Sequence, residues 1–408
     1  MKTLSYIGIF LVACIFTGCT SGNKNSAADD FTIASYYFPN YHVDKRNEKV
    51  HGEGWTEWEL VKEAKPRFPD HQQPKVPSWG YTDEADPRQM AQKIKAAAGY
   101  GIDAFIFDWY YYDDGLFLER AIEEGFFGAK NNKRIKFGLM WANHDWMDIH
   151  PVDSATLLSE EGPEVLYQGV ISLETWDRMT DYIIETYFKH PSYWMIDGAP
   201  YFSVYDMSRF LSIFGSKENA VSGIEGFRNK VIKAGFPDLH LNAVVWGRTI
   251  LPSEEKIVVE DMNAFLQELG FSSTTSYVWV HHAKVGFPAE DYNSMKERYF
   301  NYAGEFCETI DLPYFPNVTM GWDASPRCKQ SDTFRELRYP FTGTMSNNTP
   351  ENFKEALLDA KQFMAMHADG PNILTINCWN EWTEGSYLEP DTIHGMDYLQ
   401  AVKEVFGD

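Results

Sequence analysis

The chain has 408 residues, 59 acidic and 36 basic, giving a formal net charge of −23, and 16% of it is aromatic. That length suits one large α/β domain or two average ones, and the aromatic content excludes a disordered or low-complexity chain. So acidic a surface repels nucleic acid and anionic membrane, which excludes both as charge-driven partners.

The chain opens on an export signal. Lys2 supplies a short positive start, and Leu4 to Phe16 is mostly apolar but short for a bilayer span. Phe16-Thr17-Gly18-Cys19 then resembles a bacterial lipobox, in which the cysteine is lipidated and becomes the mature N-terminus. Residues 1–19 are therefore expected to be a lipoprotein signal peptide, with Cys19 as the lipidation site. Residues 20–30, small and polar, read as a flexible tether. The expected location is a bacterial membrane, the outer one on its periplasmic or surface face, touched through the lipid anchor alone. Cys307, Cys328 and Cys378 make neither a disulfide framework nor a zinc motif. They are expected as buried thiols, with a Cys307–Cys328 bridge as the alternative.

From Phe31 onward, strand-like and helix-like segments alternate. Residues 31–38 read as a strand. Residues 86–101 read as a helix, with Asp86 as N-cap, Pro87 in the first turn and Gly at the end. Strands are then expected at 102–110, 133–143, 200–206, 239–247, 274–280, 314–323 and 372–380. Between them come helices at 116–126, 175–189, 223–235, 259–270, 291–308 and 349–368, and a last helix closes the chain. Eight strand–helix units predict an α/β fold, a (β/α)8 TIM barrel forming one domain over 31–408. A doubly wound open sheet would want a Gly-rich turn after its first strand, and "YYFPNYH" is not one.

In such a barrel the chemistry lies at the C-terminal strand ends. Those ends carry Tyr36, Tyr37 and His42, then Asp108, Trp109, Tyr110 and Tyr111, then Trp141, Asn143, His144 and Asp145. Next come Tyr205 and Asp206, Trp246 and Arg248, Trp279, His281 and His282, then Trp322, Asp323 and Arg327. The last strand ends in Trp379, Asn380, Glu381, Trp382 and Glu384. Six of the eight ends carry a tryptophan, which as a set predicts a cleft lined by flat faces for sugar rings. Glycosidic cleavage needs two carboxyl groups, one protonated at working pH. Glu381 and Glu384 point to opposite faces if extended, but become neighbours roughly 5–6 Å apart if the chain turns helically after Trp379. No D-x-D, GxGxxG, P-loop or G-x-S-x-G motif occurs, and adjacent His281 and His282 are not spaced for one metal-binding face. Neither a metal nor a cofactor is expected.

"YYFPNYH" (36–42), "GWTEWELVKEAKPRFPDHQQP" (54–74), "YGIDAFIFDWYYYDDG" (100–115), "MWANHDW" (140–146), "GWDASPR" (321–327) and "NCWNEWTEGSYLEPD" (377–391) together resemble the glycoside hydrolase family 99-like (WbsX-like) group, related to endo-α-mannosidases. The likeness runs over residues 31–408 in order, and it implies a (β/α)8 barrel. It also implies that Glu381 deprotonates the sugar's own 2-hydroxyl, which attacks C1 with overall retention, while Glu384 acts as acid and then base. Trp55, Glu57 and Trp58 of the second stretch join the strand-end residues as substrate-binding candidates. Two departures bear on specificity. His144-Asp145 stands where many relatives carry Glu-Asn, and Thr383 stands where the mannosidases proper carry His, so mannose specificity is not carried over.

Three functions compete. The first is a tethered glycoside hydrolase acting on a complex oligo- or polysaccharide, alongside other glycan-uptake proteins. The second is a non-catalytic glycan-binding lipoprotein. A glycosyltransferase, the label some relatives carry, ranks last, because an exported lipoprotein has no supply of nucleotide sugar.

Overall fold

The computed structural model describes residues 31–246, 261–367 and 370–407. The export signal with Cys19, the tether 20–30, Arg248, the end of the expected strand 239–247 and the start of the expected helix 259–270 lie outside the described residues.

Nine short strands make the wall: β1 (Thr32–Tyr37), β2 (Ala104–Tyr112), β3 (Lys136–Trp141), β4 (Ala199–Val204), β5 (His240–Val244), β6 (Ser273–Thr275), β7 (Tyr314–Phe315), β8 (Asn317–Thr319) and β9 (Ile373–Asn377). They pair in parallel around the ring. β7 and β8 are two pieces of one wall, broken at Pro316, which has no N–H to give to a ladder. β7 pairs with β6 and β8 pairs with β9, so the ring closes as the eight-unit barrel the sequence predicts.

Helices cover the outside. Pro87–Gly99 begins as read, with the Asp86 side chain accepting from the Arg88 amide. Its Met90 and Ile94 are buried in the core. The expected helix at 116–126 shortens to a π-helical turn, Ala121–Phe126. Gly125 in it faces the Glu84 carbonyl so closely that a Cβ would lie 2.0 Å from that oxygen. The helix Met207–Phe214 was not read from sequence, and Lys217–Lys233 starts six residues earlier than expected.

Two expected strands end early. Residues 279–281 form a tight 3-10 turn after β6, and the seventh wall stops at Thr319, short of Trp322. The barrel interior is also more polar than the apolar look of the strands implies. Thr275 on β6 meets Thr375 on β9 at 3.3 Å across the lumen, and Asn317 donates to Thr375 at 3.1 Å. Ser203 donates to Asn242 at 2.8 Å. Each buried hydroxyl and amide named here finds a partner inside, which is the condition for burying it at low cost.

Candidate active site

After β9 the chain makes the turn on which the glutamate pair depends. Asn380–Glu381 runs antiparallel to Ser386–Tyr387, and Trp382–Glu384 is a 3-10 turn between them. Gly385 closes it at φ 65°, a left-handed conformation that glycine adopts freely. A Cβ there would come within 2.8 Å of the Asp323 Cβ. The turn brings Glu381 and Glu384 to the same side.

One guanidinium holds both. Arg327, in the turn Ser325–Arg327 beyond the seventh wall, donates from Nη2 to Glu381 at 2.7 Å and from Nη1 to Glu384 at 2.7 Å. It gives Nε and Nη2 to a third carboxylate, Glu57, at 2.9 and 2.8 Å. The Tyr339 hydroxyl donates to Glu384 at 2.6 Å and also contacts Arg327. All four charged groups are nearly inaccessible, at 6% for Arg327, 0% for Glu57, 2% for Glu381 and 7% for Glu384.

One cation against three carboxylates in a buried site shifts their protonation. Burial pushes Glu381 well above the usual carboxylate range; Arg327 opposes this, while Glu384, Glu57 and Asp108 add to it. Burial also raises Glu384, against the pull of Arg327 and Tyr339. Burial would raise Glu57 too, but the Arg327 guanidinium and the Thr383 hydroxyl outweigh it and hold Glu57 below its ordinary value. Glu57 is thus held toward its charged form, while burial favours the protonated forms of Glu381 and Glu384.

A cleft open to solvent lies over the pair. Of the residues singled out in the sequence, Asp108, Tyr110, Arg327, Glu381 and Glu384 line it, as do His144, Asp145 and Tyr205. The Tyr277 hydroxyl donates to Asp108 at 2.8 Å, and burial raises the Asp108 carboxyl well above its ordinary value. Phe38, Trp146, His150 and Tyr277 also line it, with Met140, Ala142, Met147 and Ile149, and were missed as site residues. Phe38 and Trp146 sit inside the stretches "YYFPNYH" and "MWANHDW", which were the available signal. Trp146 stacks on His150 at 5.1 Å with planes 10° apart.

The expected wall of strand-end indoles is not there. Trp109, Trp141, Trp279, Trp322, Trp379 and Trp382 are all at or below 2% exposure. Their N–H groups point into the protein: Trp109 to Tyr187, Trp141 to the Tyr111 carbonyl, Trp279 to the Asn317 carbonyl. An indole fixed by its N–H and covered on both faces packs the barrel top instead of stacking on a sugar. Trp322 lines a separate groove beyond Gly385. Half-buried Trp246 packs on Tyr205 and His281, and Trp55 stacks on His51 at 4.1 Å outside the cleft lining.

Other expected contacts are also turned inward. Tyr36 packs on Tyr277 inside the barrel, and Tyr37 donates to Glu84. His42 is buried, which lowers it to about 3. Trp58 donates to the Thr82 carbonyl, and Asn143 exchanges hydrogen bonds with the Asp206 backbone. Asp323 accepts from His71 and Gln73. Glu57 backs Arg327 and does not line the cleft.

Asn380 and Trp382 serve the hairpin. Asn380 Nδ2 donates to Glu84 at 2.6 Å and to the Phe38 carbonyl at 2.7 Å, and its Oδ1 accepts from the Phe38 amide. Trp379 and Trp382 both donate to Glu389. Lys93, fully buried on the helix Pro87–Gly99, bridges Glu389 at 2.6 Å and Glu84 at 3.1 Å. The glutamates thus alternate with residues pinned from beneath. Among the described residues, no group of three or more His, Cys, Asp or Glu is placed to hold a metal ion.

Comparison with known proteins follows the same line. A family model described as "Glycosyltransferase WbsX" matches residues 33–402. The uncharacterized protein WxcX of Xanthomonas campestris pv. campestris is 26% identical over 375 residues, covering 91% of this chain and 49% of its own. The chain thus spans about half the length of the curated relatives it matches. Among solved structures, a GH99 endo-alpha-mannosidase from Bacteroides thetaiotaomicron aligns with a TM-score of 0.55 at 14% identity, over 91% of this chain and 95% of its own. A glycoside hydrolase-like protein aligns with a TM-score of 0.56 at 14% identity, over 99% and 97%. At such identities the likeness to solved structures is one of fold.

Proposed function

Because the chain belongs to the family described as Glycosyltransferase WbsX, and folds as family 99 endo-mannosidases do, we propose that it is a glycoside hydrolase cleaving a complex glycan. The observation that carries this is the hairpin that brings Glu381 and Glu384 to one guanidinium at the floor of an open cleft. A carboxyl pair sharing one proton is what acid-assisted glycosidic cleavage requires.

The family resemblance supplies the roles. Glu381 takes the proton of the sugar's 2-hydroxyl, that oxygen closes on C1, and Glu384 protonates the departing oxygen. Glu384 then deprotonates the water that opens the anhydro-sugar, giving net retention. In the free protein Glu384 accepts from Arg327 at 2.7 Å and Tyr339 at 2.6 Å, and Glu381 from Arg327 at 2.7 Å, so Glu381 is the better place for a proton on the pair. A sugar hydroxyl donating to Glu381 favours its ionised form and moves the proton to Glu384, so substrate binding itself arms the acid.

Purified protein incubated with a panel of mannans and host-type glycans is expected to release reducing ends, with a retained anomer seen by NMR. Glu384→Gln should keep oligosaccharide binding and lose release; normal cleavage by that variant sinks the assignment. The family's description favours one second reading, glycosyl transfer, and calorimetric binding of a sugar nucleotide would bring it forward. We also propose that the protein is anchored through Cys19; metabolic labelling with palmitate that persists in Cys19→Ser rules this out.

A further inference from the structure

Glu57 is buried and does not line the cleft, yet it accepts two hydrogen bonds from Arg327 where each cleft glutamate accepts one. Its Oε1 accepts from Arg327 Nε and Nη2 at 2.9 and 2.8 Å and from the Thr383 hydroxyl at 2.5 Å. Its Oε2 accepts from Asn40 at 2.5 Å, and Asn47 donates in turn to Asn40. A buried carboxylate with that many donors stays ionised. It occupies the Nε–Nη2 edge of the guanidinium, shares Nη2 with Glu381 and leaves Nη1 to Glu384. The geometry thus divides one charge among three carboxylates, with the largest share going to the one that faces no substrate.

We propose that Glu57 is a positioning residue that acts through Arg327: by neutralising the guanidinium it leaves Glu381 and Glu384 without a net counter-charge, so the pair holds the one proton that acid catalysis needs. This rests on the hydrolase reading for its purpose but not for its physics. An arginine facing the pair alone would ionise both carboxyls, and the acid would be absent at neutral pH. Other groups face the pair without supplying a cation. Asp108 and Tyr110 come from β2, His144 and His150 from the loop after β3, Tyr277 from beyond β6, and Tyr41 and Tyr339 from two further loops. Burial keeps both histidines neutral, His150 down to about 3.

The test reads the carboxyls directly. Protein labelled with 13C at the glutamate carboxyls is titrated by NMR, with the pair assigned from Glu381→Gln and Glu384→Gln. In Glu57→Gln the upper midpoint of the pair is expected to fall by about one unit or more, a tenfold loss of proton affinity. A midpoint that stays or rises overturns the proposal. If Glu57→Gln does not fold, the double variant Glu57→Gln/Arg327→Met removes the neutralised pair together. Its midpoint is expected within about half a unit of the parent, and a larger fall again overturns the proposal. Where cleavage is measurable, the alkaline limb of the pH–rate profile should move down by the same amount, with activity regained at acid pH. Loss of activity at every pH without a shift would mark Glu57 as merely structural. Protein that cleaves no glycan, yet shows the NMR shift, would leave this inference standing and fail the hydrolase reading.

Discussion

Trp379 and Trp382 donate their indole N–H groups to the two oxygens of one carboxylate, that of Glu389, at 2.9 Å each. Both indoles are fully buried, and Lys93 closes the arrangement from below. The residues on either side of Glu381 are therefore fixed to a common base. Lys93→Met should strand Glu84 and Glu389 as buried carboxylates and cost about 3–5 kcal/mol, the range for breaking a buried ion pair on one side. Urea denaturation at pH 7 measures it, and a loss under about 1 kcal/mol is incompatible with a dry ionic node.

The buried tryptophans and the cleft tryptophan should separate by experiment. Trp279→Ala empties a fully enclosed site and should cost about 3–5 kcal/mol of stability. Trp146→Ala, in the cleft wall, should instead weaken glycan binding with a smaller stability loss. Intrinsic fluorescence is the check: added oligosaccharide should perturb Trp146, and the perturbation should vanish in Trp146→Phe.

Asp108 carries a pH signature. Its Oδ2 accepts from Tyr277, while Oδ1 has no hydrogen-bond partner among the described residues. Burial raises its folded pKa, Tyr277 opposes and Glu384 adds. The folded state thus holds a proton that the unfolded state releases near its ordinary value of 3.8, so stability is full below that value and falls as pH rises. Asp108→Asn removes the titration and keeps an acceptor for Tyr277. It should be more stable than the parent at pH 7–8, with the gain shrinking below about pH 4. Parallel stability–pH curves for the two proteins would be the contrary result.

The structure does not join Cys307 to Cys328. Cys328 is buried, and burial pushes its thiol well above the ordinary range. Iodoacetamide at pH 8 should leave Cys328 and Cys378 unmodified in the native protein and label both after unfolding without reductant, as read by peptide mass. A Cys307–Cys328 cross-linked peptide would overturn the arrangement.

The sequence by itself determined the barrel and pointed to the glutamates Glu381 and Glu384 at its last strand end. Alternating β and α segments leave few ways to close a parallel sheet, and Asp86 and Pro87 start their helix through local contacts, the Asp86 side chain accepting from the Arg88 amide two residues on. Glu381 and Glu384 were legible because two carboxyls beyond the last strand lie where barrel loops converge. The direction of each side chain was not legible. A tryptophan at a strand end can face the mouth or the outer helix layer, and for Trp109, Trp141 and Trp279 only the placement of Tyr187, Tyr111 and Asn317 decided the inward choice. Arg327 and Glu57 lie 270 positions apart, and their contact, like the charge balance it sets over Glu381 and Glu384, exists only once the ring has closed. Local propensity acts over a turn, whereas burial and the sharing of one positive charge among three carboxylates depend on atoms that the chain brings together last.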